Sequence, residues 1–107
     1  MNKKIRKILA KKNKSKIVSL TAYSKPIAKI IDNYCDIVLV GDSMANVLYG
    51  MNNTHNVTLN NMIQHAQSVK KGIKKSLLIV DMPKNSYSNI KKAEKNAKLI
   101  LKKTGCD

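Results

Sequence analysis

Residues Ile37-Val38-Leu39-Val40 are four consecutive β-prone apolar side chains that run straight into Gly41, Asp42 and Ser43. A strand with no polar face has to be covered on both sides, which is the situation of a strand inside a parallel sheet. A second run, Leu77-Leu78-Ile79-Val80, is built the same way and ends in Asp81-Met82-Pro83. Two buried strands that each finish in an aspartate point to an α/β fold with chemistry at the strand ends.

The intervening segments supply the helices. Residues 1–16 carry eight Lys or Arg and no acid, with Ile5, Ile8 and Leu9 at helical spacing, and read as a basic N-terminal helix. Ile17 to Ala22 reads as a first strand. Ser24 is placed to cap a helix with Pro26 in its first turn, and Ile27, Ala28, Ile30, Ile31 and Tyr34 give it an apolar stripe. Met44 to Val57 reads as a long irregular segment, of the kind that usually carries function. Thr58 caps a helix whose apolar positions are Leu59, Met62, Ile63, Ala66 and Val69, closed by Lys70-Lys71-Gly72. A last helix over 89–104 turns Ala93, Ala97, Ile100 and Leu101 inward and stops at Gly105. The order is a helix (1–16) followed by βαβαβα (17–107), which implies parallel pairing. Three strands leave two open edges and a thin core, so the stretch reads as the first part of something larger.

The net charge is +15 from 21 basic and 6 acidic residues. Charge alone suggests a polyanion such as RNA or DNA, but only Arg6 is arginine and the aromatics are four Tyr. Specific nucleic-acid readers use Arg forks and aromatic stacking, so the charge argues only weakly for a small cationic nucleic-acid-binding protein. No apolar run approaches the roughly 20 residues of a membrane span, and Ile8-Leu9-Ala10 is too short for a signal peptide core. A cytoplasmic protein without a membrane partner is expected. Cys35 and Cys106 have no metal-type spacing and read as two reduced thiols.

Asp42 and Asp81 end what should be neighbouring strands, about 4.8 Å apart. Two carboxylates so close repel unless a cation lies between them, and Mg²⁺ takes one or two carboxylates while leaving room for substrate oxygens. For either aspartate alone, a helix cap or a satisfied loop carboxylate is the other reading. Ser43 either donates to a substrate carboxylate or caps the next turn. Asp32, Asp36, Glu94 and Asp107 lie in or beside helices and read as surface acids. His55 and His65 have no metal-like spacing, and His65, in mid-helix, reads as structural.

The ordered blocks Leu20-Thr21-Ala22-Tyr23, Val40-Gly41-Asp42-Ser43-Met44, Val57-Thr58-Leu59 with Met62, Ile63 and His65, and Asp81-Met82-Pro83 with Ser86-Tyr87 resemble the ketopantoate hydroxymethyltransferase family. The resemblance implies a TIM barrel, of which these residues would be the first three of eight βα units. It implies one-carbon transfer from 5,10-methylenetetrahydrofolate to 3-methyl-2-oxobutanoate, giving 2-dehydropantoate for pantothenate synthesis. By the same resemblance Asp42 and Asp81 are Mg²⁺ ligands, and Asp42, Ser43 and Asp81 contact the oxoacid. The complete family enzyme is a homo-oligomer. Its V-K-[LI]-E-G-G block, with a substrate lysine and a third metal ligand, is not found here. Nor is its catalytic-base glutamate, expected beyond Asp107, so an inactive fragment is expected. The chain departs from the family pattern at Ser24 (usually Asp), Ala45 (usually Gly), His55-Asn56 (usually Leu-Pro) and Lys84 (usually aromatic). A different Mg²⁺-dependent barrel acting on oxoacids, such as an isocitrate-lyase-like relative, is the remaining enzyme alternative.

Overall fold

The computed structural model describes residues 2–107. Three parallel strands, β1 (Ser19–Thr21), β2 (Ile37–Val40) and β3 (Leu77–Val80), lie side by side in sequence order. Helices α1 (Lys3–Leu9), α2 (Lys25–Ile31), α3 (Met44–Val47), α4 (Leu59–Lys70) and α5 (Ile90–Thr104) alternate around them. The register pairs Leu20 with Val38 and Val38 with Leu78, while Leu39 pairs with Thr21 and Ile79. Partners in register share a face, so the sheet has one face built on Val38, Val40 and Leu78 and another on Thr21, Leu39 and Ile79.

The first face is the core. Val38, Val40 and Leu78 are fully buried together with Met62, Ala66 and Val69 of α4 and Ala28 of α2. Helix α4 lies against β2 and β3 and is flanked by α2 and α5. The capping box drawn by Thr58 and Asn61 starts α4 on the residue that the sequence indicates.

The second face is covered at Leu77 but open toward the strand ends, contrary to the expectation of strands covered on both sides. Leu39 is only partly buried and Ile79 is 40% exposed, because no helix lies over them. The accessible surface is 7125 Å², against about 6,000 Å² for a folded monomer of 11.9 kDa.

Several local expectations need correction. The N-terminal helix ends at Leu9, and residues 10–14 form turns, with Asn13 at φ 60 where a helix cannot continue. The lysine run there offers no apolar face to hold against the core. On α2 only Ala28 is buried and Ile30 is 61% exposed, while Tyr34, expected on the same stripe, lies beyond the helix end and is 76% exposed. Leu101 of α5 likewise points outward. Met44–Val47 form a single helical turn, with Met44 and Ala45 drawn into the core, and the rest of the stretch to Val57 is irregular as expected. Asp32, Asp36 and Asp107 hold backbone together rather than standing free at the surface. Asp32, 5% exposed, accepts from the backbone N–H groups of Lys74, Lys75 and Ser76. Asp36 accepts from Val18 N and Asp107 from Leu78 N.

Glycines close two helices for different reasons. Gly105 takes the left-handed conformation, φ +66, that ends α5. Gly72 does not. A Cβ there would lie 2.5 Å from the carbonyl oxygen of Lys25, so Gly72 is what lets the end of α4 touch the start of α2.

Candidate active site at the strand ends

In parallel α/β folds the loops after the strands gather at one edge, and ligands bind there. All three such loops contribute. Tyr23 follows β1, Asp42 and Ser43 follow β2, and Asp81 follows β3. The sheet register places Asp81 beside the end of β2, where its own N–H donates to Val40 O at 3.0 Å. Its carboxylate turns back, and Oδ2 accepts from the backbone N–H of Asp42 at 3.2 Å.

Gly41 makes that approach feasible. A Cβ at this buried position would stand 3.3 Å from both Asp81 Oδ2 and Ser43 Oγ. The glycine of the strand end is therefore a matter of space beside the carboxylate, and its φ is not in the left-handed range.

Ser43 occupies the residue before α3 but makes no capping bond. Its Oγ lies 2.6 Å from the Tyr23 hydroxyl instead. Tyr23 is held from behind. Its carbonyl oxygen is 2.8 Å from His65 Nδ1, and the Tyr49 hydroxyl is 2.6 Å from His65 Nε2. A carbonyl only accepts, so Nδ1 carries the proton and, in the neutral ring, Nε2 accepts from Tyr49. His65 is thus structural, as its place in α4 suggests, and it fixes the backbone that presents Tyr23.

The three residues singled out from sequence, Asp42, Ser43 and Asp81, are brought together. Tyr23 was missed as a participant, although the Thr21-Ala22-Tyr23 block puts it at a strand end, the same signal that identified the aspartates. Among the described residues, no group of three or more His, Cys, Asp or Glu is arranged to hold a metal; the strand ends supply two aspartates, Asp42 meeting Asp81 through its backbone N–H. Neither carboxylate has an ion-pair partner among the described residues. This holds in a chain whose net charge is +15.

The departures from the family pattern fall around this cluster. Ser24 stands at the cap position of α2 without a side-chain cap bond. Ala45 is fully buried, its methyl part of the core. His55 and Lys84 face a groove of about 380 Å³ that runs alongside, between the loop before α4 and the loop after β3. That groove includes neither Asp42 nor Asp81. No helix among the described residues is long and apolar enough to cross a membrane.

A family model described as ketopantoate hydroxymethyltransferase matches residues 2–107. The chain is 61% identical over 107 residues to the 3-methyl-2-oxobutanoate hydroxymethyltransferase of Pelagibacter ubique, covering 100% of the chain and 42% of that relative. To the enzymes of the same name from Anaplasma marginale and Rhizobium rhizogenes it is 51% and 54% identical over 94% of its length. Those alignments cover 36% and 37% of the relatives, so the chain spans about two fifths of the length of the proteins it matches.

Proposed function

The chain belongs to the ketopantoate hydroxymethyltransferase family, and on that premise we propose that Tyr23, Asp42, Ser43 and Asp81 form the metal- and oxoacid-binding part of a 3-methyl-2-oxobutanoate hydroxymethyltransferase. The observation that carries the reading is the pair of strand-end carboxylates without a lysine or arginine partner in a strongly basic chain. Carboxylates with no ion-pair partner of their own are available to a bound cation.

The donor set fits Mg²⁺, which prefers hard carboxylate oxygens and needs few of them from the protein. Asp42 and Asp81 would hold the ion, which when bound acts as a Lewis acid on the 2-oxo acid. The backbone N–H of Asp42 fixes one oxygen of Asp81, so that carboxylate is oriented before any ligand arrives. Tyr23 and Ser43 share one proton in their hydrogen bond, and the second hydroxyl proton is left to donate to the substrate carboxylate. None of these groups is assigned as the base that takes the C3 proton of the oxoacid. The electrophile is the methylene carbon of 5,10-methylenetetrahydrofolate.

Sheet order supports a (βα)₈ barrel rather than a doubly wound sheet. A doubly wound sheet reverses its strand order and carries helices on both faces. Here the order is β1-β2-β3, the core helices line one face, and Leu39 and Ile79 on the other are uncovered. The face of Thr21, Leu39 and Ile79 would look into the barrel. The reading carries with it a cytoplasmic enzyme, homo-oligomeric when complete, with the oxoacid and the folate as its small-molecule partners.

A chimera tests it. With these 107 residues in place of the matched segment of the Pelagibacter ubique relative, a pantothenate auxotroph should grow without pantothenate. Asp42→Asn or Asp81→Asn in the chimera should abolish growth and Mg²⁺-dependent oxoacid binding. Growth that survives both substitutions would overturn the assignment. The 107 residues by themselves are expected to show no turnover in a folate-dependent transferase assay.

A further inference from the structure

Six lysines from three separate stretches converge on one cleft at the end of the sheet opposite Asp42 and Asp81. Lys3, Lys4 and Lys7 come from α1, Lys70 from the last turn of α4, and Lys74 and Lys75 from the loop that leads into β3. With Asn2 and Asp107 they line a cleft of about 410 Å³. Lysine makes up 20 of the 107 residues, so eight lining positions would hold one or two by composition. Six of eight is a consequence of the fold.

Two of the six are committed. Lys4 Nζ donates to Ser76 O at 2.9 Å, and Lys75 Nζ to Asn33 Oδ1 at 3.0 Å. Lys3, Lys7, Lys70 and Lys74 make no side-chain hydrogen bond or ion pair among the described residues. The cleft already accepts one anion. The Asp107 carboxylate takes the Leu78 N–H at 2.9 Å and lies 3.7 Å from Lys4 Nζ. Burial pushes the Asp107 carboxyl up, but the Leu78 amide, the Asn2 side chain, Lys4 and Lys70 together hold it below its ordinary value.

We propose that this cleft binds a small polyphosphate anion, with Lys3, Lys7, Lys70 and Lys74 as its contacts. Lysine presents a point charge suited to terminal phosphate oxygens, whereas planar carboxylate recognition favours the arginine fork. The lining holds no arginine and no aromatic ring, so it offers nothing on which a nucleobase stacks. Its volume lies within the range of small-ligand sites and is far from an extended groove for a nucleic-acid strand. The site is at the opposite end of the strands from the oxoacid cluster and stands independently of it.

The test is calorimetric titration of the 107-residue chain with tripolyphosphate, orthophosphate, ATP and a single-stranded RNA at moderate salt. Tripolyphosphate should bind one to one and more tightly than orthophosphate, and ATP should match it, because the base finds no platform. ATP binding much more tightly would overturn the absence of a base contact. RNA that binds and is not displaced by tripolyphosphate would overturn the proposal. Replacing Lys7 and Lys74 by alanine should weaken binding by about tenfold for each lysine. Lys91→Ala with Lys95→Ala removes the same charge from α5 and should have less than about a twofold effect. Equal losses from the two pairs would mean bulk electrostatics and no site. Lys7→Arg with Lys74→Arg keeps the charge and should retain binding, which separates loss of contacts from loss of fold.

Discussion

The hydroxyl of Tyr23 lies 2.6 Å from Oγ of Ser43, joining the loop after β1 to the loop after β2 across the candidate site. This bond decides which way Ser43 faces. The backbone of Ser43 is helical (φ −56, ψ −12) rather than that of a capping residue, and its side chain makes no bond to α3. In the chimeric enzyme, Tyr23→Phe should lower kcat/KM by about tenfold, the value of one hydrogen bond lost beside a charged substrate. Ser43→Ala should cost a similar amount, and the double variant little more than either one. Additive losses in that cycle would show that the two hydroxyls act separately.

Gly41 holds space for the Asp81 carboxylate. In the chimeric enzyme, Gly41→Ala should weaken Mg²⁺ binding in the presence of the oxoacid by about tenfold, since a methyl 3.3 Å from Asp81 Oδ2 and Ser43 Oγ makes both give way. Calorimetric Mg²⁺ titration checks this, and unchanged affinity would mean that the carboxylate is not positioned by the close approach.

The contact between α4 and α2 depends on Gly72. A Cβ there would come within 2.5 Å of the Lys25 carbonyl oxygen and 2.9 Å of the Ala28 Cβ, both rigidly held. Gly72→Ala should therefore destabilise the chain by about 2 kcal/mol, through overpacking at a helix crossing. Urea unfolding measures it, and a stabilised variant would contradict the packing argument.

Asp32 makes stability fall in acid. Burial raises its pKa, but the amides of Ser76, Lys74 and Lys75 and the Ser76 hydroxyl more than offset this and leave it below the ordinary carboxylate value. A depressed folded pKa contributes stability that is complete above the unfolded value of about 3.9 and is lost as pH falls through the folded one. Asp32→Asn should cost about 2 kcal/mol at pH 7, and the gap from the parent chain should narrow below pH 4. Asp36 and Asp107, also lowered, remain in both proteins and leave the comparison intact.

Much of the fold was legible because burial leaves a local mark. Ile37–Val40 and Leu77–Val80 form strands with those bounds, and Thr58 and Gly105 bound their helices, since apolar runs, caps and left-handed glycines act within a few residues. The aspartates after those strands were legible for the same reason. Asp32 was not. A lone acid at the end of a helix looks exposed until three amides from residues 74–76 arrive beside it.

The sequence by itself determined the parallel α/β order, the strand ends and the family, because these depend on side-chain pattern along the chain. Only the tertiary structure decided what surrounds each end of the sheet. It turned Tyr23 toward Ser43, left Asp42 and Asp81 without an ion-pair partner among the described residues, and gathered six lysines at the opposite end. Those arrangements arise between residues far apart in sequence. Their energy comes from distances and burial that exist only once β1, β2 and β3 are in register, so no local pattern records them.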